Sequence, residues 1–214
     1  MGTRNLTIVY SNGEYKVAQY GQFDGYPEYL GVQLLAYLKG INREILKTSI
    51  DKCSYLSKAE LEMLDKSIKS ALEDNSHFEW QKFYPELSRD TGGDILELIM
   101  FKNKTKLQNS LNFAADSLFC EWAYVIDLDK NTFEIYKGFN SKPLTNKDRF
   151  YFLMETAGEI IKERKQLALK LDSVTTFYPV RKVKDYDLNN LPDKEKFIEE
   201  MDSTITKETW DTEF

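Results

Sequence analysis

The residues whose types and spacing could do chemistry fall in two short stretches, Gln19–Tyr26 and Ser88–Gly93. Ser88-Arg89-Asp90-Thr91-Gly92-Gly93 precedes a helix-like run and is the nearest thing in the chain to a cradle for an anion. Its small residues let backbone N–H groups approach a ligand, a helix N-terminus favours negative charge, and Arg89 supplies a bidentate fork. The lysine and the spacing of a P-loop are absent. A small anionic ligand at Ser88–Gly93 therefore stands against a structural reading in which Asp90 caps the helix and Arg89 pairs with a surface acid. In the first stretch Gln22, Asp24 and Tyr26, joined by Arg4 from the preceding strand, could form a hydrogen-bonding cluster. Asp24-Gly25 also reads as a turn in which the aspartate caps its own backbone. If the two stretches share one surface, Gln22, Asp24, Tyr26, Arg89 and Asp90 lie together in space.

Other catalytic residue types are scarce. His77 is the single histidine and falls in a loop-like segment, which excludes multi-histidine metal sites. Cys53 and Cys120 have no metal-ligand spacing and read as buried free thiols, so no metal or cofactor is expected. Glu121 and Asp127 share a strand face but lie six residues apart. At about 3.3 Å per residue they are too distant for a paired-carboxylate site, and each is expected to meet a local partner. A strand near the N-terminus, two hairpins and flanking helices invite comparison with N-terminal-nucleophile hydrolases. Gly2 has no nucleophile, however, and Thr3 would need further processing to be exposed.

The elements that must position these residues are legible from local signals. Asn12-Gly13 between Leu6–Tyr10 and Tyr15–Phe23 predicts a hairpin with a two-residue turn. The mixed faces of Tyr15–Phe23 suggest that one faces a partly polar groove. Pro27 and the spacing of Leu30, Leu34, Tyr37 and Leu38 predict a helix over 28–39, ending at Gly40. A shorter helix follows over Asn42–Cys53. Ser57-Lys58-Ala59-Glu60 is a capping-box pattern, with Leu61, Leu64, Ile68 and Leu72 on one stripe. Residues 74–87 read as an aromatic-rich, packed loop, and Asp94–Lys102 as a helix. A second hairpin is predicted from Leu118–Leu128, the turn Asp129-Lys130-Asn131, and Thr132–Tyr136, with the apolar first strand central. Thr145 is expected to cap a helix running to about Leu171. A last strand over Thr175–Val183 and a helix over Asp193–Met201 complete the order. The expected fold class is α+β, an antiparallel sheet built from two hairpins plus a late strand and packed against several helices. Residues 1–190 read as a single domain and 191–214 as an acidic C-terminal helix and tail.

Several of these stretches together carry a family likeness. Thr3-Arg4-Asn5-Leu6-Thr7, Val17-Ala18-Gln19-Tyr20-Gly21-Gln22, Asp24-Gly25-Tyr26-Pro27, Pro85–Gly92 and Cys120–Leu128 resemble a family found in phages, mobile elements and assorted cellular genomes. Its members open with a TRxL strand, a DG-type hairpin, VAQYGQ and a DGYP turn, and no settled activity comes with it. The resemblance covers roughly residues 3–138. This chain has Phe23 where members often have Trp, and Tyr29-Leu30-Gly31 near their Gly-Gln-Gly.

Composition bounds the function classes. The 214 residues are 42% hydrophobic and 14% aromatic, as in a folded protein, and no run has the length of a membrane span. No leader-like segment is read and Leu6 breaks the myristoylation pattern, so a cytoplasmic protein away from membranes is expected. The net charge is −6, and the segment from Pro192 onward carries eight acids against three lysines. A nucleic-acid binder shows a basic excess, so direct binding of a nucleic-acid backbone is not expected. The acidic segment reads as a solvated helix and frayed end. The resemblance, the scarcity of catalytic types and the acidity favour an accessory protein of a phage or mobile element that binds a host protein. Antagonism of CRISPR-type or other antiviral defence is one such role. The alternatives are a hydrolase or nucleotide-acting enzyme using Arg89, Asp90 and the hairpin-end cluster, and a sponge that sequesters a signalling nucleotide.

Overall fold

The structure, a computed structural model, describes residues 2–167 and 176–210. Strands β1 (Asn5–Ser11) and β2 (Glu14–Gly21) form the first hairpin. Its turn residues Asn12 and Gly13 both take positive φ, 53° and 77°, as a two-residue primed turn requires. After the wide helical turn Pro27–Gly31 come α1 (Val32–Gly40) and α2 (Arg43–Ile50). A two-residue strand β3 (Ser54–Tyr55) leads into α3 (Lys58–Asp74) and the single turn α4 (Trp80–Phe83). Then follow α5 (Ile95–Lys102) and β4 (Lys106–Leu107), which pairs in parallel with β3. The second hairpin is β5 (Trp122–Asp127) and β6 (Thr132–Lys137). The chain closes with α6 (Met154–Leu167), β7 (Arg181–Asp187) and α7 (Lys194–Trp210).

The fold is α+β, with a five-stranded, mostly antiparallel sheet in the order β2-β1-β5-β6-β7. The sequence predicts Leu118–Leu128 at the centre of the sheet, and β5, the part of that run that forms a strand, is the middle strand. The junction differs from an all-antiparallel sheet, because β1 and β5 run parallel, Asn5 opposite Trp122 through Tyr10 opposite Asp127. β2 ends at Gly21 and β5 starts at Trp122, both level with Asn5, so the helical segment between the hairpins leaves and rejoins the sheet at one end. Both hairpin turns therefore lie at the same end of the sheet. There Asp129 accepts the N–H groups of Asn12 (2.9 Å) and Gly13 (2.8 Å).

Alternation along the strands divides the core in two. Val9, Val17, Trp122, Tyr124, Ile126, Phe133 and Ile135 face α1, α2, α5 and α7. Leu6, Ile8, Ala18, Ala123, Val125 and Tyr136 face the other way, toward Leu111–Ala115, Phe150 and α6. Helix α7 contributes Phe197 and Met201 to the first layer, so the acidic segment is packed on its apolar side rather than wholly solvated.

Several boundaries move for identifiable reasons. Residues 118–121 are not strand, because the Phe119 and Cys120 N–H groups turn back to the Asp116 carbonyl. Thr145 caps a turn through Asp148, but the helix begins only at Met154, because Arg149 and Phe150 are drawn into the interior first. The expected extension of that helix beyond Leu167, and Thr175, lie outside the described residues. The last strand occupies Arg181–Asp187, where β6 fixes its register, rather than Thr175–Val183. The capping box of Ser57 and Glu60 forms in full. No residue of α3 is buried, however, and its apolar stripe is only half-covered. Among the described residues no helix is long and apolar enough to cross a membrane.

Candidate functional site

The polar end of the first hairpin is built around Asn5. Asn5, Thr7 and Gln19 lie on the sheet face that carries the larger core layer, all buried, at the end where that layer runs out of apolar side chains. Asn5 Nδ2 donates to the carbonyls of Phe23 (2.9 Å) and Thr3 (3.3 Å), and the Gly25 N–H donates to the same Thr3 carbonyl (3.1 Å). Tyr124, buried on β5, donates its hydroxyl to the Gly25 carbonyl at 2.8 Å. Together these bonds hang the turn at Asp24 from the sheet. Asp24 itself takes φ 53°, a conformation that aspartate tolerates better than most residues.

Gly25 is required by proximity. A Cβ there would stand 2.8 Å from both the Thr3 carbonyl oxygen and Asn5 Cβ. Gly25→Ala is accordingly expected to cost about 1–3 kcal/mol, the range for overpacking a filled site. A urea midpoint equal to wild type would show that the turn is not clamped in this way.

The segment around Arg89 closes over this end. The Gln22 N–H donates to the Arg89 carbonyl (2.8 Å), and Gln19 Nε2 donates to the Ser88 carbonyl (3.2 Å). The partly polar face expected of the second strand is thus the surface that this loop covers. Two separate concavities result. One, of about 350 Å³, is lined by Phe23, Asp24, Tyr29, Gln33, Asp90 and Asp94 among others. The second, of about 260 Å³, holds Arg89 with Gln19, Tyr20, Ser88, Gln108 and Ser110.

The structure places the residues singled out from the sequence as follows. Gln22 and Arg89 meet through the backbone, while Asp24 and Asp90 share the larger concavity. Tyr26 sits next to that cavity, 47% exposed, without lining it. Arg89 lines the neighbouring concavity and pairs with a surface acid as the structural reading expected, its Nε 4.0 Å from the Asp90 carboxylate. Arg4 is not part of the cluster. Its guanidinium lies 4.5 Å over the Phe119 ring and its backbone N–H donates to Glu121 (3.2 Å), in the layer of α6. Glu121 thus has a neighbouring-strand partner rather than a purely local one. Asp90 does not cap α5: its own N–H is taken by Ser88 Oγ (3.2 Å), and Gly92–Asp94 intervene as a tight turn.

The sign of the larger cavity is the main difference from the anion cradle suggested by Ser88–Gly93. Its lining includes Asp24, Asp90 and Asp94 and no lysine or arginine. Asp94 and Gln33, hydrogen-bonded to each other, reach it from α1 and the start of α5. Sequence reasoning missed both, together with the aromatic pair Phe23 and Tyr29. The alternation of aromatic and acidic residues through Phe23-Asp24-Gly25-Tyr26-Pro27-Glu28-Tyr29 was the available signal. Phe23 is 50% and Tyr29 63% exposed, so both rings are accessible at the cavity.

Nothing at this end activates a nucleophile. Thr3 is buried, and its carbonyl is engaged by Asn5 and Gly25. Burial pushes the Cys53 thiol up to about 11 and holds Cys120 well above the ordinary thiol range, so neither is a thiolate near neutrality. His77 lies on the exposed stretch after α3. Among the described residues no three His, Cys, Asp or Glu side chains converge as metal ligands. The double change Asp24→Asn with Arg89→Ala removes two exposed charges, and asparagine keeps the tolerance for φ 53°, so the melting temperature should stay within a few degrees, as for surface changes of about 0.5 kcal/mol. No protein-family model matches this sequence, and neither curated proteins nor solved structures give a match.

Proposed function

We propose that this chain is a binding protein that engages a host protein through the rim formed by the Asp24 turn and the Asp90–Asp94 loop. The observation that carries the reading is the composition of that rim. Exposed Phe23, Tyr26 and Tyr29 accompany Asp24, Asp90 and Asp94; no lysine or arginine lines the cavity, and Arg89 reaches Asp90 from outside it at 4.0 Å. Aromatic side chains supply large contact area at low conformational cost and anchor protein interfaces. Carboxylates around such anchors favour a partner segment bearing lysine or arginine, and speed its encounter. Clamping of the turn by Asn5, Tyr124 and Gly25 means that little ordering is needed on binding. The resemblance read in the sequence to phage and mobile-element proteins supports a host protein as the partner, and antagonism of a defence system as its role.

The test is a charge-altered, anchor-less variant, Asp24→Asn with Asp90→Lys and Tyr29→Ala. All three side chains are exposed, and asparagine keeps the tolerance for φ 53° at position 24, so the fold should be kept. The host protein retained by wild type is expected to be lost by this variant, and retained by a control carrying Lys58→Glu on the far helix α3. Equal retention by wild type and the triple variant would overturn the reading.

A further inference from the structure

At the other end of the sheet, where both hairpin turns lie, a cavity of about 420 Å³ opens across β1, β2, β5, β6 and β7. That size is within the range of small-molecule sites, roughly 300–1,000 Å³. Its floor is an ionic cluster. Arg149 donates from Nε to Glu134 Oε2 (2.8 Å), and from Nη2 to Glu134 Oε1 (2.8 Å) and to Asp127 Oδ2. Tyr136 donates its hydroxyl to Glu134 at 2.6 Å, and Asp127 also accepts the N–H groups of Asp129 and Lys130. Asp148, the remaining acid of the lining, is occupied by the N–H and hydroxyl of Thr145. The two carboxylates of the floor are therefore each held by the guanidinium.

The guanidinium is held by its two carboxylates but not saturated, and two lysines stand near it. The Arg149 side chain is nine-tenths buried, and its Nη1 makes no hydrogen bond to any described residue. Lys130 and Lys147 stand on the rim, exposed, with no carboxylate partner among the described residues. Lys182, also lining, pairs with Asp185 at 3.1 Å. The wall is aromatic: Tyr10 and Tyr15 meet edge to face at 5.0 Å, and Tyr15 leans on Phe152 at 5.8 Å. Phe152 is 53% exposed, so part of its ring is uncovered.

We infer that this cavity binds a small organic anion carrying a planar ring, of the class of a nucleoside monophosphate. The anionic group is held by Lys130, Lys147 and the free edge of Arg149, through charge-assisted hydrogen bonds. The ring lies against Phe152 and Tyr15, as nucleobases do on aromatic side chains. The floor is pre-organised, because Glu134 and Asp127 fix the guanidinium before any ligand arrives. This site is separate from the aromatic and acidic rim at the opposite end of the sheet.

Calorimetric titration of the whole chain with the four common nucleoside 5′-monophosphates tests the inference. Adenosine serves as a ring without charge and pyrophosphate as a charge without a ring. At least one monophosphate is expected to bind, about tenfold or more tighter than either control. Lys130→Ala with Lys147→Ala should weaken that binding by about tenfold or more while leaving the melting temperature unchanged, since both side chains are exposed. The inference is overturned by absence of binding for all four, by pyrophosphate binding as tightly as the best of them, or by undiminished binding to the double variant.

Discussion

Arg149→Met is expected to destabilise the protein by about 3–5 kcal/mol at neutral pH, the range for removing one partner of a buried ion pair. The side chains concerned are among the most enclosed charges in the molecule: Arg149 is 10% exposed, Asp127 0% and Glu134 6%. Removing the guanidinium leaves two carboxylates in the interior facing Tyr136, Thr132, backbone N–H groups and the more distant charge of Lys182. The pH dependence gives the prediction a second readout. Burial alone would raise the Glu134 carboxyl, but hydrogen bonds from Arg149 and Tyr136 and the guanidinium charge outweigh it and hold Glu134 below the usual carboxylate range. A group depressed in the folded state contributes stability above its unfolded pKa, about 4.3 for glutamate, and loses it as the pH falls through the folded value. In the variant the guanidinium is gone and burial dominates, so the sign reverses and protonation relieves the penalty. The difference between variant and wild type in urea unfolding should therefore shrink between pH 7 and pH 4. A constant difference, or one below about 1 kcal/mol, would show that the cluster is not a desolvated ion pair.

Trp122→Ala should cost a similar amount, about 3–5 kcal/mol, as for large aromatic truncations in cores. Trp122 opens the central strand, pairs with Asn5 on one side and Lys137 on the other, and is 4% exposed. Its removal opens a void between the sheet and the larger helical layer, beside the residue that organises the hairpin end. Phe101→Ala, at a position 73% exposed on α5, is the matched control and should stay within about 0.5 kcal/mol. A wild-type urea midpoint for Trp122→Ala would contradict the central placement of β5.

What was legible in the sequence was what local chemistry decides. Asn12-Gly13 gave the turn because few residues other than Asn and Gly accept positive φ together, and Ser57 with Glu60 gave the start of α3 because both halves of the capping box lie within four residues. Long-range partners were not legible. The capping signature of Thr145 and Asp148 is real, yet the pull of Asp127 and Glu134 on Arg149 delays the helix to Met154, and nothing near Thr145 announces those acids. The parallel pairing of β1 with β5 likewise depends on where the intervening helices bring the chain back. The periodicity of Leu61, Leu64, Ile68 and Leu72 located a helix correctly but could not tell how much of its stripe another element would cover. At the candidate site the residues of the turn were readable as polar and aromatic. The acidity of the cavity was not, because Asp94 and Gln33 join it only through folding.

Photocrosslinking from the rim tests the central claim most directly. A photoreactive phenylalanine analogue replaces Tyr29, 63% exposed beside Asp24, and in a second sample replaces Met63, 69% exposed on α3. Irradiated with host protein extract at low and at high salt, the chain labelled at position 29 should give one dominant adduct that fades as salt rises, joined at a lysine- or arginine-rich stretch of the partner. Position 63 should not give it. The same adduct from position 63 and none from position 29 would contradict the account.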